Sequence, residues 1–369
     1  MKRFLLILAI MLWVPRVCHA LELSAHSACL IAADSGQVIF AKAERERAPM
    51  ASTTKMMTAL LAAEYGQWNE EVTVTLNAQK QEGTRLYLEA GDKLSLYDMV
   101  CGMMLNSGND AAMAIAEHIS GSSEAFAQKM TERAAELGAD DTQFMNPNGL
   151  DAEGHYSTAY DLAVIARAVI KNETLSEIVK CREMKVTSTS GTVTYLRNHN
   201  KLLWNYDGLT GVKTGYTRKS GRCLVTSAEK DGVRLIAVTM NAPDDWKDHK
   251  KMLDYGFEAC TKKQVISAGE ELASVSVNGS RLGFAAAQNV DADCIDGKAK
   301  KCDIVLHRIK NPEAPINKGE KLGTAEVLQN GYLISEIDLV ADRDIYEGET
   351  DGMGLVERLR LLISRIVFR

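Results

Sequence analysis

Near residue 263 the hydrophobic pattern of this chain changes period, and a chain that does so cannot fold as one uniform layer. Before that point, apolar residues recur at helical spacing over 54–64, 96–104, 111–119, 123–137 and 158–170. The last of these places Leu162, Ile165, Val169 and Ile170 on one stripe. Short β-type runs flank this helical middle. Residues 28–33 and 37–41 read as two strands joined by Asp34-Ser35-Gly36, 72–76 as a strand-like piece, and 209–216, 222–227 and 233–240 as three more strands. Strands from both ends closing around helices make an α+β arrangement. After residue 263 the helical spacing stops. From 265 to 345 short apolar runs alternate with Gly269, Asn278-Gly279, Asp296-Gly297, Lys318-Gly319 and Asn330-Gly331, the spacing of a small all-β domain. Domains are therefore expected at 21–262 and 263–350.

The two ends differ from both bodies. Lys2 and Arg3 precede an apolar run over 4–14, followed by Pro15 and Cys18-His19-Ala20. A basic start, a short apolar stretch and small residues describe a secretory signal peptide at 1–20. The run is too short for the about 20 residues that cross a bilayer. At the other end, 351–369 reads as an amphipathic helix. Leu355, Val356, Leu359, Leu362, Ile363, Ile366 and Val367 share one face, and Arg358, Arg360, Arg365 and Arg369 lie on the other. A basic amphipathic helix of this kind suits the outer surface of the cytoplasmic membrane, the alternative being a stripe packed on the β domain.

Composition narrows the partners. With 46% hydrophobic and 25% charged residues the chain is an ordinary globular one, not disordered and not a multi-span membrane protein. Loss of 1–20 leaves 40 basic against 49 acidic side chains, a net of −9 where the full chain has −6. An acidic exported protein is a poor partner for nucleic acid, whose phosphates need a basic surface. Seven cysteines remain beyond the leader, an odd and scattered set that is no disulfide framework. Cys294 and Cys302 are the nearest pair and fit a hairpin bridge. Neither the cysteine nor the histidine spacing suggests a metal site.

Chemistry enters at Ser52-Thr53-Thr54-Lys55, which opens an otherwise apolar helix. One turn apart, the Ser52 hydroxyl and the Lys55 amine can face each other. An ordinary helix cap would want Glu or Gln where Lys55 stands, and a cation in the first turn opposes the helix dipole. Lys55 is therefore expected to point inward, where desolvation beside a second cation lowers its pKa and makes it a base towards serine. Two further triplets follow, Ser107-Gly108-Asn109 between helices and Lys213-Thr214-Gly215 on a strand. Each has a decoy copy: Ser227…Lys230, Ser276-Val277-Asn278 and Lys219-Ser220-Gly221. Only the first set has the right order and context.

That order, helix start, inter-helix loop and sheet strand, resembles the penicillin-recognising serine acyl-enzymes. The wording around it is similar to one branch, the low-molecular-mass penicillin-binding proteins that are D-alanyl-D-alanine carboxypeptidases. Met50-Ala51-Ser52, Asn106-Ser107-Gly108-Asn109-Asp110-Ala111, Asn148-Gly149-Leu150-Asp151 and His155-Tyr156-Ser157-Thr158 carry the likeness over about 24–262. The resemblance implies a penicillin-binding-protein/β-lactamase-like catalytic domain, a β domain and a terminal helix. It implies Ser52 as nucleophile, Lys55 as its base and Ser107 as proton relay. Asn109, Lys213, Thr214, Gly215 and Tyr216 would bind substrate, with the N–H groups of Ser52 and Tyr216 as oxyanion hole. It also implies a peptidoglycan stem peptide as substrate, β-lactams as covalent inhibitors, and no metal or organic cofactor.

One departure stands out. Some relatives read the substrate carboxylate with an Arg on the strand after the Lys-Thr-Gly strand, near its end, where this chain has Met240-Asn241-Ala242-Pro243-Asp244-Asp245, with no Arg and two acids. Arg222 or Arg218 can substitute, the alternatives being weaker carboxylate recognition or reliance on Thr214 and Lys213. His155 has no acid or nucleophile placed beside it by sequence, so a structural role is expected. A class A β-lactamase would need a Glu-x-x-Leu-Asn stretch between the second and third motifs, and none is present. A non-catalytic wall-binding protein would have no use for Ser52, Lys55 and Lys213 together. Water or an amine remains open as the final acceptor.

Overall fold

The computed structural model describes residues 21–189 and 191–346. The expected leader and the helix expected at 351–369 lie outside the described residues. β1 (Ser27–Ala32) is buried along its whole length because both its faces are covered. Cys29 and Ile31 join a large helical core, whereas Ala28, Leu30 and Ala32 join a second core on the other face. A turn at Gly36, with φ of +64°, returns the chain into β2 (Val38–Lys42).

A 3-10 turn over Ala51–Thr54 then leads into α1 (Lys55–Tyr65). Residues 55–62 of α1 are buried, which is what a helix apolar all round requires. β3 (Glu71–Thr73), α2 (Leu76–Gln79) and β4 (Lys93–Ser95) follow. The strand expected at 72–76 is cut short because Thr75 accepts a hydrogen bond from the Ala78 N–H at 3.0 Å and starts a helix there. α3 (Leu96–Leu105), α4 (Asn109–Ser120), α5 (Ser123–Glu136) and α6 (Ala159–Lys171) match the helical stretches read above. Ser95, Ser122 and Thr158 cap α3, α5 and α6.

Next come α7 (Glu173–Lys180), a hairpin of β5 (Glu183–Thr187) and β6 (Val193–Arg197), and α8 (Leu202–Asn205), none of which the periodicity announced. β7 (Leu209–Thr217), β8 (Gly221–Lys230) and β9 (Val233–Met240) complete an antiparallel sheet in the order β2-β1-β9-β8-β7. The expected closure of one sheet by strands from both ends is correct. α9 (Asp245–Ala259) covers the second face through Met252 and Leu253. β7 is an outer strand of that sheet and packs against the 3-10 turn.

β10 (Cys260–Ile266) continues directly from α9. It pairs with β13 (Val290–Ile295), which carries β14 (Lys298–Ala299). β11 (Glu271–Val277), β12 (Ser280–Ala286), β15 (Cys302–Arg308), β16 (Lys321–Gln329) and β17 (Tyr332–Ala341) form a five-stranded sheet over Leu282, Phe284, Val327 and Leu339. Asn278-Gly279 and Asn330-Gly331 sit at φ of 51°/83° and 56°/78°, the left-handed pair that two-residue hairpin turns demand. The hairpin bridge that Cys294 and Cys302 could have formed is absent, and both thiols are free. Cys294 pairs with Ala299 in the small sheet while Cys302 pairs with Gln329 in the large one.

The tail docks on the β1–β2 turn. Arg167 donates to the carbonyls of Ala33 and Asp34 at 2.6 and 2.7 Å and lies 3.7 Å from the centre of the Tyr332 ring. Lys262 reaches Asp34 at 2.6 Å and Asp293 at 2.9 Å.

Candidate active site

Ser52 lies in the 3-10 turn rather than in the helix proper. Ala51 before it is held at φ of +47°, a conformation that costs a side-chain-bearing residue energy and persists only where the surroundings dictate it. The surroundings are tight. A Cβ on Gly149 would come within 2.0 Å of the Ala51 carbonyl oxygen, and one on Gly215 within 3.1 Å of the Ser52 nitrogen. Two glycines from distant segments thus let a loop and β7 close on the serine.

Lys55 begins α1 and is fully buried. Its Nζ is 2.9 Å from Ser52 Oγ, 2.7 Å from Asn109 Oδ1 and 2.5 Å from the Asn148 carbonyl oxygen. Burial, then the charge of Lys213, pull its pKa well below the usual lysine range, against an opposing pull from Asp110. A neutral amine has two N–H donors and one lone pair. With the donors spent on the oxygens of Asn109 and Asn148, a neutral Lys55 would turn its lone pair to the Ser52 hydroxyl.

Asn109 owes its position to the first turn of α4. Its Nδ2 donates to the Glu82 carbonyl at 2.6 Å, so both ends of its amide are engaged. Asp110 beside it is buried and accepts from the N–H groups of Leu86, Leu88 and Ala111, which pins the 82–88 loop to the site. Ser107 stands in the turn between α3 and α4 at φ of +61°, a second strained non-glycine residue at the same place.

Lys213 is also buried, and that burial brings its pKa down to about 7. Its Nζ donates to the Thr214 carbonyl at 3.1 Å. Tyr216, 65% exposed, stands at the outer end of the strand. Beyond it Thr217 donates to Asp151 at 3.0 Å and ties β7 to the loop that carries Asn148 and Gly149. The structure thus brings Ser52, Lys55, Asn109 and Gly215 into contact and sets the Lys213 charge near Lys55, while Ser107, Thr214 and Tyr216 adjoin them along the α3–α4 turn and β7. The decoys do not: Ser227 hydrogen-bonds Thr210 within the sheet, and Ser276 and Lys219 belong to a tail strand and a turn.

Sequence reading passed over the parts played by Asn148, Asp110 and Glu82. Asn148 and Glu82 act through backbone carbonyls, which no side-chain pattern signals. Both ring nitrogens of His155, for which a structural role is expected, are engaged within the scaffold. The Met145 N–H donates to its Nδ1 at 3.0 Å, so its Nε2–H donates to Thr54 Oγ1 at 2.8 Å. Burial lowers its pKa to about 4 and keeps the ring neutral.

Comparison with known proteins places this arrangement. A family model described as D-alanyl-D-alanine carboxypeptidase matches residues 15–244. The chain belongs to that family. A second model, described as the C-terminal domain of penicillin-binding protein 5, matches residues 261–347. D-alanyl-D-alanine carboxypeptidase DacF of Bacillus subtilis is 35% identical over 333 residues, covering 87% of this chain and 86% of its own. DacA of Escherichia coli is 30% identical over 361 residues, covering 92% and 88%. Among solved structures, penicillin-binding protein 5 from Haemophilus influenzae superimposes with a TM-score of 0.65 at 28% identity, covering 88% of this chain and 98% of that one. The family read from the three motifs is correct. So is the fold class, a penicillin-binding-protein-like α+β catalytic domain followed by an all-β domain.

Proposed function

We propose that this chain is a serine D,D-carboxypeptidase that removes the terminal D-alanine from peptidoglycan stem peptides through an acyl-enzyme on Ser52. The observation that carries the reading is the fully buried Lys55 amine standing 2.9 Å from Ser52 Oγ. The Ser52 O–H donates its proton to that amine as Oγ attacks the carbonyl of the penultimate D-alanine. The oxyanion is held by the N–H groups of Ser52 and Tyr216, a role favoured by the close approach of β7 at Gly215 to the Ser52 nitrogen. Ser107 passes a proton to the leaving D-alanine. Asn109 orients Lys55 and offers its remaining N–H to a substrate amide. Lys213 keeps Lys55 deprotonated by repulsion, and the Thr214 hydroxyl meets the substrate's terminal carboxylate. Water then hydrolyses the acyl-enzyme and no step calls for a cofactor. β-Lactams acylate the same serine.

The enzyme works outside the cytoplasmic membrane, exported by 1–20 and held to the outer surface by the basic amphipathic segment 351–369. Among the described residues no helix is long and apolar enough to cross a membrane. Release of D-alanine from a peptide ending in D-alanyl-D-alanine, compared between wild type and Ser52→Ala, tests the activity. Loss in the variant is expected, and release that survives it would contradict the assignment. Removal of 355–369 is expected to free the protein from membranes with activity on a soluble peptide unchanged, whereas continued membrane association would favour the packed-helix alternative.

A further inference from the structure

The substrate of the proposed reaction ends in a free carboxylate, and neither buried lysine is well placed to be its main partner. Lys55 is occupied by Ser52, Asn109 and Asn148, and Lys213 turns its Nζ back onto the Thr214 carbonyl. A guanidinium suits the task better, because it stays charged and presents two parallel N–H donors to a carboxylate. Residues 240–245 contain none and carry two acids instead.

The register of β7 and β8 supplies one. Tyr216 pairs with Arg222 and Thr214 pairs with Leu224, so Thr214, Tyr216 and Arg222 project from one face of the sheet. Thr214 and Arg222 are diagonal neighbours, typically about 7–8 Å apart and within reach of a long side chain. The Ala242 N–H donates to the Arg222 carbonyl at 3.0 Å and fixes its backbone. Its Nη1 is 4.0 Å from Asp245 Oδ2, and the Arg222 side chain is 53% exposed against 6% for Asp245. A buried acid thus lies beside one flank of the guanidinium and leaves the other open. Asp245 is itself fixed by the Trp246 N–H at 2.9 Å. Arg218, the other candidate, lies in the exposed β7–β8 turn and has no ion pair among the described residues.

We propose that Arg222 is the residue that binds the terminal carboxylate of the substrate, together with the Thr214 hydroxyl, and that Asp245 is the positioning residue that holds its guanidinium beside the end of β7. The acid at 245 is then no defect of the site. It is the counter-charge of an arginine brought in from the neighbouring strand.

This inference rests on the carboxypeptidase reading, and two substrates separate them. One is an acylated peptide ending in D-alanyl-D-alanine. The other is an acyl-D-alanyl thioester whose thiol carries no carboxylate. Both acylate the same serine, but only the peptide presents a carboxylate to Arg222. Arg222→Gln is expected to lower kcat/KM for the peptide by about 10- to 100-fold while thioester turnover stays within about twofold. Arg222→Lys recovers part of the loss, since it returns charge without the fork. Asp245→Asn lowers peptide kcat/KM mainly through KM and spares the thioester. An unchanged peptide rate in Arg222→Gln, or an equal fall on both substrates, would overturn the role of Arg222 and leave the carboxypeptidase reading intact. A wild-type protein that turns over the thioester but not the peptide would overturn that reading itself.

Discussion

At the scale of single residues the site is governed by two lysines that the fold keeps short of water. Lys55 serves as a base only when unprotonated, so acylation falls as pH drops through its lowered pKa. Because the charge of Lys213 contributes to that lowering, Lys213→Met is expected to move the acid limb of the penicillin acylation rate to higher pH. A limb that stays in place, or moves lower, would contradict the repulsion between the two. Stability provides a second readout. Lys213 titrates at about 7 in the folded chain against an ordinary 10.5, so between those values the unfolded chain binds more protons. Stability therefore rises with pH across that window, and below about 7 the cost of the buried charge is fully present. The Tm of Lys213→Met relative to wild type is expected to be most favourable at or below pH 7 and to lose ground towards pH 10. A difference independent of pH would mean that Lys213 is not a buried cation.

At the scale of elements, the serine is shaped less by α1 than by what closes on it. A Gly215→Val side chain would start 3.1 Å from the Ser52 nitrogen and 3.2 Å from Ala51 Cβ, so either β7 or the turn must give way. Overpacking of this kind costs about 1–3 kcal/mol, and the shift falls where the oxyanion donors are proposed. Acylation is expected to drop by about 100-fold or more while the circular dichroism of the fold is kept; full activity would show that β7 does not need to approach so closely. Thr158→Ala is the opposite case. It removes the cap of α6, whose Asp161 N–H donates to Thr158 Oγ1 at 3.0 Å, and should cost about 1 kcal/mol with acylation unchanged. These contrasts also mark what was legible in the sequence. The long helices α3 to α6 and the sheet strands announce themselves because burial on one face or both writes a period into the residues. α9 did not, although Trp246, His249, Met252, Leu253 and Gly256 follow a helical stripe, because charged residues interrupt it. The α7 helix and the β5–β6 hairpin are short and half-exposed, with little pattern to write. In the site, side chains with distinctive chemistry were found by type and order. Asn148 and Glu82 act through carbonyls that every residue has, and only three-dimensional placement selects them.

At the scale of the molecule, catalytic body and β tail meet through the β1–β2 turn, which Arg167, Tyr332, Lys262 and Asp293 grip from several sides. Gly36 admits the Tyr332 ring, since a Cβ there would fall 2.3 Å from it. This docking couples the two parts, so calorimetry of the wild type is expected to give one unfolding transition. Tyr332→Ala should separate a tail transition from that of the catalytic body while leaving acylation unchanged; a single undisturbed transition in the variant would show that the grip carries no coupling. The composition that looks uniform over the whole chain thus belongs to an acidic enzyme joined to a β support, with basic character concentrated at the segment proposed to meet lipid. All of this stands on a covalent intermediate at one serine, and intact-protein mass spectrometry after incubation with penicillin tests it most directly. One added penicilloyl mass per chain is expected, mapped by peptide digestion to Ser52 and missing in both Ser52→Ala and Lys55→Ala. No adduct on the wild type, or an adduct on another residue, would contradict it.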